Sequence, residues 1–403
     1  MAVRVDSRCG TLPAVTFERE RLIAEAVAAT GFDDLGEPTW REGLERLLDS
    51  LAAEARLSEL GVTIVESEVG GYLRNRLGIV AHRAAHPELG SRPITRPLVI
   101  VGQPRTGTTI LYDLLAQDPA NRAPLSWEVD LPCPPPVTAT YDTDPRIAEA
   151  DAAAEMADLV IPGFRAFHPI GARLGQECVR ITGSEFRSMI FTVQYEVPTY
   201  NRWLLDEADL APAYRWHRMY LEHLQSGHMG ERWLLKSPAH LWHLAELFAE
   251  YPDAVVIQTH RDPLKVLASI SALAAHLRQM ASDSPSLAAA AAQYEHDIFD
   301  GLDRGLAARR SGVLPPEQVV DVQFTDFMAD PFATIAALYD RLGLSLSAEA
   351  EANMRAFLAS NPGDGGGGGS RYRWADTGLD ADALRARARE YQEHFDVPSE
   401  PVT

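Results

Sequence analysis

Four short apolar runs punctuate the chain, and each is bounded by residues that stop a strand. They are Leu98-Val99-Ile100-Val101, closed by Pro97 and Gly102; Trp233-Leu234-Leu235; Ala254-Val255-Val256-Ile257; and Val319-Val320-Asp321-Val322. Runs of this length with apolar residues on both sides of the alternation read as parallel strands buried on both faces. Between them the period changes to that of a helix. Ile110, Leu111, Leu114 and Leu115 follow the first run, and Phe327 to Leu342 forms a packing helix after the last. Upstream, Leu44, Leu47, Leu48, Leu51 and Ala55 share one helical face opposite Glu and Arg, so residues 1–96 read as a helical region packed on the core. Pro132, Pro134, Pro135 and Pro136 mark a stiff loop, and residues 144–230 read as a helical insertion between the first and second strands. Strands alternating with helices predict an α/β fold, a three-layer α/β/α sandwich around a central parallel sheet, over residues 97–403.

Composition narrows the function. The 46% hydrophobic and 23% charged fractions are those of a globular chain with ample core. A formal net charge of −20 argues against nucleic acid as a partner. No apolar run approaches the roughly 20 residues of a membrane span. The first residues carry no signal-like apolar stretch, and the three cysteines, Cys9, Cys133 and Cys178, show neither metal spacing nor a paired framework. A reducing cytoplasm is the expected location, and no metal site is predicted.

The chemistry gathers at the ends of the apolar runs. After the first comes Gly102-Gln103-Pro104-Arg105-Thr106-Gly107-Thr108-Thr109, then a helix. A strand turning tightly into a helix presents free N–H groups and the positive end of a helix dipole, which suits an anion. Arg105 adds a fixed charge, and Thr106, Thr108 and Thr109 add hydroxyls. The loop is P-loop-like without being a Walker loop, which needs Lys followed by Ser or Thr after its second Gly; here Thr108 follows Gly107.

Pro104 to Thr109 resembles the 5′-phosphosulfate loop of bacterial-type sulfotransferases that use 3′-phosphoadenosine 5′-phosphosulfate (PAPS). Three further segments fit that family in order. Arg261 and Ser269, eight residues apart, match its Arg-x7-Ser pair for the 3′-phosphate. Lys236 precedes Arg261 by 25 residues, where the family places a lysine that reaches the transferring sulfuryl group. Five glycines followed by Arg371, Tyr372, Arg373 and a later Gly378-Leu379 resemble a loop (361–378) that covers the nucleotide. The resemblance implies sulfuryl transfer from PAPS, without a metal, to a small-molecule acceptor through a hydroxyl, less readily an amine.

Such a transfer needs a base. Glu128, 23 residues after Arg105, is the leading candidate by its place in the family; Glu177 and His168, both in the insertion, are its rivals. The aromatics Phe164, Phe167, Phe186, Phe191, Tyr195 and Tyr200, with Trp203 and Trp216, suggest an apolar acceptor cleft. Two other functions compete. A P-loop kinase or other phosphotransferase would need the missing loop Lys and a strand carboxylate such as Asp321, and a non-catalytic nucleotide-binding protein would need neither Lys236 nor a base.

Overall fold

Five strands, β1 (Leu98–Gly102), β2 (Asn121–Arg122), β3 (Arg232–Lys236), β4 (Val255–His260) and β5 (Val319–Gln323), build one sheet in the order β2-β3-β1-β4-β5. All four pairings are parallel, with Val99 level with Leu235 on one side and Val256 on the other. This is a computed structural model, and it describes residues 15–160, 169–361 and 373–402.

The two-residue period of the strands divides the core. Val99, Val101, Leu235 and Val256 point to a cluster that includes Leu44, Leu47, Leu73 and Leu77 of the N-terminal helices. Leu98, Ile100, Leu234 and Ile257 point the other way, onto Leu111, Leu114, Ile335 and Leu338. Helices therefore cover both faces, and the fold is the three-layer α/β/α sandwich that the alternation predicts. Each buried Val, Leu or Ile contributes roughly 1.5–3 kcal/mol, so the sheet's two faces hold its strand ends in fixed register.

Two expectations need correction. The helical insertion follows β2 rather than β1: Asn121 and Arg122 pair with Arg232 and Trp233 at the sheet edge. Two residues have no alternation to read, so this strand left no pattern. The insertion's aromatics also do not line a cleft as a group. Phe186 and Phe191 pack on Tyr72, with ring centroids 6.2 and 5.6 Å apart, and Tyr200 packs on Phe191 at 6.1 Å. They bind the insertion to the N-terminal helix Glu59–Ala85. Phe164 and Phe167 lie outside the described residues. Among those described, no helix is long and apolar enough to cross a membrane.

The chain closes with the helix Ala381–Phe395, whose Leu384, Ala388 and Tyr391 pack on the helices Pro263–Leu277 and Leu287–Ser311. This placement brings residues 396–402 back to the carboxyl end of β4.

Candidate active site

β1 ends at Gly102, whose φ of +144° and contact with Thr259 leave no room for a side chain: a Cβ there would lie 2.4 Å from Thr259 Oγ1. The loop then folds on itself. Thr106 Oγ1 donates to the Gln103 carbonyl (2.6 Å) and meets Thr259 Oγ1 (2.6 Å), so this hydroxyl builds the loop. Arg105 adopts φ +67°, a left-handed conformation that a non-glycine residue holds only when its surroundings enforce it. Two contacts do so. Arg105 Nε donates to Ser269 Oγ (3.0 Å), and Arg261 Nη1 donates to the Arg105 carbonyl (3.1 Å). Gly107, at φ +84°, caps the helix Thr108–Leu115 without a side-chain acceptor, so the first-turn N–H groups face outward with the positive end of the dipole.

Arg261 lies at the end of β4, and Asp262 caps the helix Pro263–Leu277 that carries Ser269. The guanidinium stacks on Phe324, 3.9 Å from the ring, and that ring also fills the space beside Gly107. Its outer edge is gripped by a carboxylate from the tail: Nε and Nη2 donate to the two oxygens of Glu400 at 2.9 and 3.1 Å. The Glu400 backbone N–H donates to Asp262, and Arg385 bonds both Asp262 (2.7 Å) and the Glu400 carbonyl (3.2 Å).

Lys236 ends β3, level with Ile100 of β1. Its ammonium is buried, donates to Glu177 Oε1 and lies 3.4 Å from Thr109 Oγ1. Glu177 remains 20% exposed, so the pair opens to solvent on the carboxylate side. Three strand ends thus converge on one side of the sheet: the cationic loop after β1, Lys236 after β3 and Arg261 after β4. This is the crevice where α/β sheets bind ligands.

A family model described as the sulfotransferase family matches residues 97–348, more than half of the chain. The chain belongs to the sulfotransferase family. Two solved bacterial structures agree over nearly all of it. Sulfotransferase STF9 from Mycobacterium avium is 30% identical, covers 97% of this chain and 99% of its own, and superposes with a TM-score of 0.86. Sulfotransferase STF1 from Mycobacterium tuberculosis is 32% identical over 93% of this chain and 99% of its own, with a TM-score of 0.82. A curated relative, the omega-hydroxy-beta-dihydromenaquinone-9 sulfotransferase Stf3 of Mycobacterium bovis, is 26% identical over 270 residues. That match spans 62% of this chain and 63% of the relative's length. Within that family it is of the bacterial type.

Within this sulfotransferase the expected base candidates separate. Glu128 is fully buried and committed. Its two oxygens take the Arg122 fork at 2.7 and 2.8 Å, and Oε1 also accepts from the Leu125 N–H (2.8 Å) and the Tyr141 hydroxyl (3.2 Å). With both oxygens so occupied, it ties the loop after β2 to Arg122. Removing one partner of such a pair leaves a buried charge, so Glu128→Gln should lower unfolding free energy by about 3 kcal/mol in a denaturant titration. An unchanged midpoint would mean that the pair adds nothing. Glu177 is the carboxylate beside Lys236. His168, Arg371 and Tyr372 lie outside the described residues, as does most of the 361–378 loop. Arg373 is exposed and bonded to Asp376 at 2.7 and 3.1 Å. Asp321, the carboxylate that a phosphotransferase would need, is held by Arg309 (2.7 and 2.9 Å) and His260 (2.9 Å).

Sequence patterns gave no sign of Phe324, Glu400 or Asp113. Asp113, on the helix after the loop, is pushed up to about 7 by burial, against the pull of Lys236 and with the repulsion of Glu177. Because its folded value lies above its unfolded one, the folded chain binds the extra proton between about pH 4 and 7. Stability therefore falls as pH rises through that window and levels off above it. Relative to Asp113→Asn, the wild type should lose about 2 kcal/mol between pH 5.5 and 7.5. Parallel denaturation curves for the two proteins across that range would contradict this.

Proposed function

We propose that this enzyme transfers a sulfuryl group from PAPS to the hydroxyl of a small, largely apolar acceptor, with Glu177 as general base. The observation that carries the proposal is the buried Lys236, held to Glu177 and Thr109 beside the cationic loop. In this reading the first-turn N–H groups of Thr108 and Thr109, with Arg105, receive the 5′-phosphosulfate. Arg261 and Ser269 receive the 3′-phosphate. The acceptor oxygen forms a bond to sulfur as its proton passes to Glu177. The bond from sulfur to the phosphate oxygen breaks, and Lys236 and Arg105 balance the charge left on adenosine 3′,5′-bisphosphate. The name of the curated mycobacterial relative, which denotes a hydroxylated menaquinone as acceptor, supports an apolar alcohol. A cytoplasmic site of action belongs to the same proposal.

Calorimetry with adenosine 3′,5′-bisphosphate, AMP and ATP, without added magnesium, tests it. The bisphosphate should bind most tightly, and equal affinities would end the reading. A second measurement concerns the tail. Glu400 sits on the guanidinium edge that a 3′-phosphate would take, so binding must break a partly exposed ion pair of about 0.5–1 kcal/mol. Glu400→Ala should therefore tighten bisphosphate binding roughly two- to sixfold. Weaker binding by that variant would mean that the tail helps to hold the nucleotide.

A further inference from the structure

Lys236 and Glu177 come from different parts of the chain, and a third residue bears on both. Tyr112 lies three residues after Thr109 on the helix Thr108–Leu115 and is fully buried. The Lys236 ammonium stands over its ring, 5.6 Å from the centroid, inside the roughly 6 Å at which an aromatic face attracts a cation. At that spacing Thr109 and Tyr112 share one helix face. The helix that offers its first turn to the donor therefore also gives this lysine a hydroxyl and a ring.

The same ring reaches the segment that carries Glu177. The Tyr112 hydroxyl donates to the Gln176 carbonyl at 3.2 Å. Gly175 admits the ring, since a Cβ there would lie 2.4 Å from Tyr112 Cε1. The segment is also paired with the loop after β2: the Gln176 N–H donates to the Pro124 carbonyl at 2.7 Å, and the Ser126 N–H to the Leu174 carbonyl at 2.9 Å. Glu177 opens the helix Cys178–Thr182, but its side chain makes no capping bond and turns to Lys236 instead.

These contacts divide the work of placement. The backbone pairing ties residues 174–176 to the sheet edge, and Tyr112 ties them to the donor helix. A carboxylate that takes a proton and a cation that balances a leaving group act only at the right distance from the reacting atoms. Misplacement by about 1 Å costs on the order of a hundredfold in rate.

We propose that Tyr112 is a positioning residue for sulfuryl transfer: its ring seats the Lys236 ammonium and its hydroxyl holds the Gln176 carbonyl, so that the cation and Glu177 face the donor helix together. The part played through Glu177 rests on the proposed reaction; the seat of Lys236 on the ring does not.

Lys236 can be followed directly, because the chain has two lysines, Lys236 and Lys265. In the full chain with 13C-labelled lysine and no ligand, NMR should show two ε-methylene signals, assigned with Lys265→Arg. A ring beneath the ammonium should move the Lys236 protons upfield. Tyr112→Phe, which keeps the ring, should retain that shift, and Tyr112→Leu should lose it. An unchanged Lys236 signal in Tyr112→Leu overturns the ring contact. If that variant does not fold, Tyr112→Met, with its flexible side chain, decides by the same criterion.

Turnover reads the hydroxyl, as release of the bisphosphate from PAPS with 2-naphthol as the acceptor probe. Tyr112→Phe should lower kcat about tenfold and leave KM for PAPS and bisphosphate affinity within twofold, a split that a packing defect would not produce. In a Glu177→Gln background the same change should alter kcat less than twofold, because the hydroxyl acts through Glu177. Wild-type kcat in Tyr112→Phe, or a tenfold loss in both backgrounds, overturns the positioning of Glu177. If Glu177→Gln alone keeps wild-type turnover, the base reading fails instead. The lysine signals need neither donor nor acceptor, so they still decide the seat of Lys236.

Discussion

Glu177→Gln should reduce turnover by roughly two to four powers of ten while leaving adenosine 3′,5′-bisphosphate affinity within about twofold. The substitution keeps the size of the side chain and a hydrogen-bonding oxygen, so the Lys236 ammonium retains a partner. What it removes is the ability to accept a proton from the acceptor hydroxyl as the bond to sulfur forms. Release of the bisphosphate from PAPS in the presence of a small apolar alcohol that the wild type sulfates provides the rate, and calorimetry provides the affinity. Glu128→Gln is the matched control. Its carboxylate is shut away on Arg122, so that variant should lose stability and keep the turnover of its folded fraction. Near-wild-type turnover by Glu177→Gln would place the base elsewhere. A parallel loss of bisphosphate affinity would make Glu177 a support for Lys236 rather than a proton acceptor.

The two carboxylates also show where sequence reasoning stops. The sheet was legible because a strand buried on both faces must be apolar at every position. The loop after β1 was legible because Gly102 and Gly107 are required by a backbone that touches Thr259 and Phe324. Arg105, Arg261 and Ser269 were identified separately through family spacing, and the structure links them through the Arg105 side chain and carbonyl. The choice between Glu128 and Glu177 was different in kind. A carboxylate's role depends on which cation faces it, and Arg122 faces Glu128 only because a two-residue strand turns it inward at the sheet edge. Such a strand has no periodicity to detect. Glu400 meets Arg261 across 139 residues of chain, a contact set by how the last helix packs on Ala268, Tyr294 and Phe299. The aromatics of the insertion misled for a related reason. Rings at helical spacing have the same pattern whether they line a cleft or fill a core, and Tyr72 from the N-terminal region decides the matter.

Arg261→Ala should weaken adenosine 3′,5′-bisphosphate binding on the order of a hundredfold, a loss of about 2–3 kcal/mol, and should leave AMP binding nearly unchanged. The difference between the two ligands is the 3′-phosphate, so the ratio of their affinities isolates the contact. Arg261 has a second task that the ratio also separates. Through Nη1 it holds the Arg105 carbonyl and with it the left-handed turn of the loop. If the loop relaxed in the variant, the 5′-phosphate site would suffer as well, and AMP would weaken in step with the bisphosphate. Ser269→Ala removes the hydroxyl that receives Arg105 Nε and leaves the Arg261 cation in place; it should cost the bisphosphate roughly five- to tenfold, far less than loss of the charge. An Arg261→Ala enzyme that still prefers the bisphosphate over AMP as strongly as the wild type would show that the 3′-phosphate is read by other groups. The Glu400 contact would then be only a bond that fixes the tail.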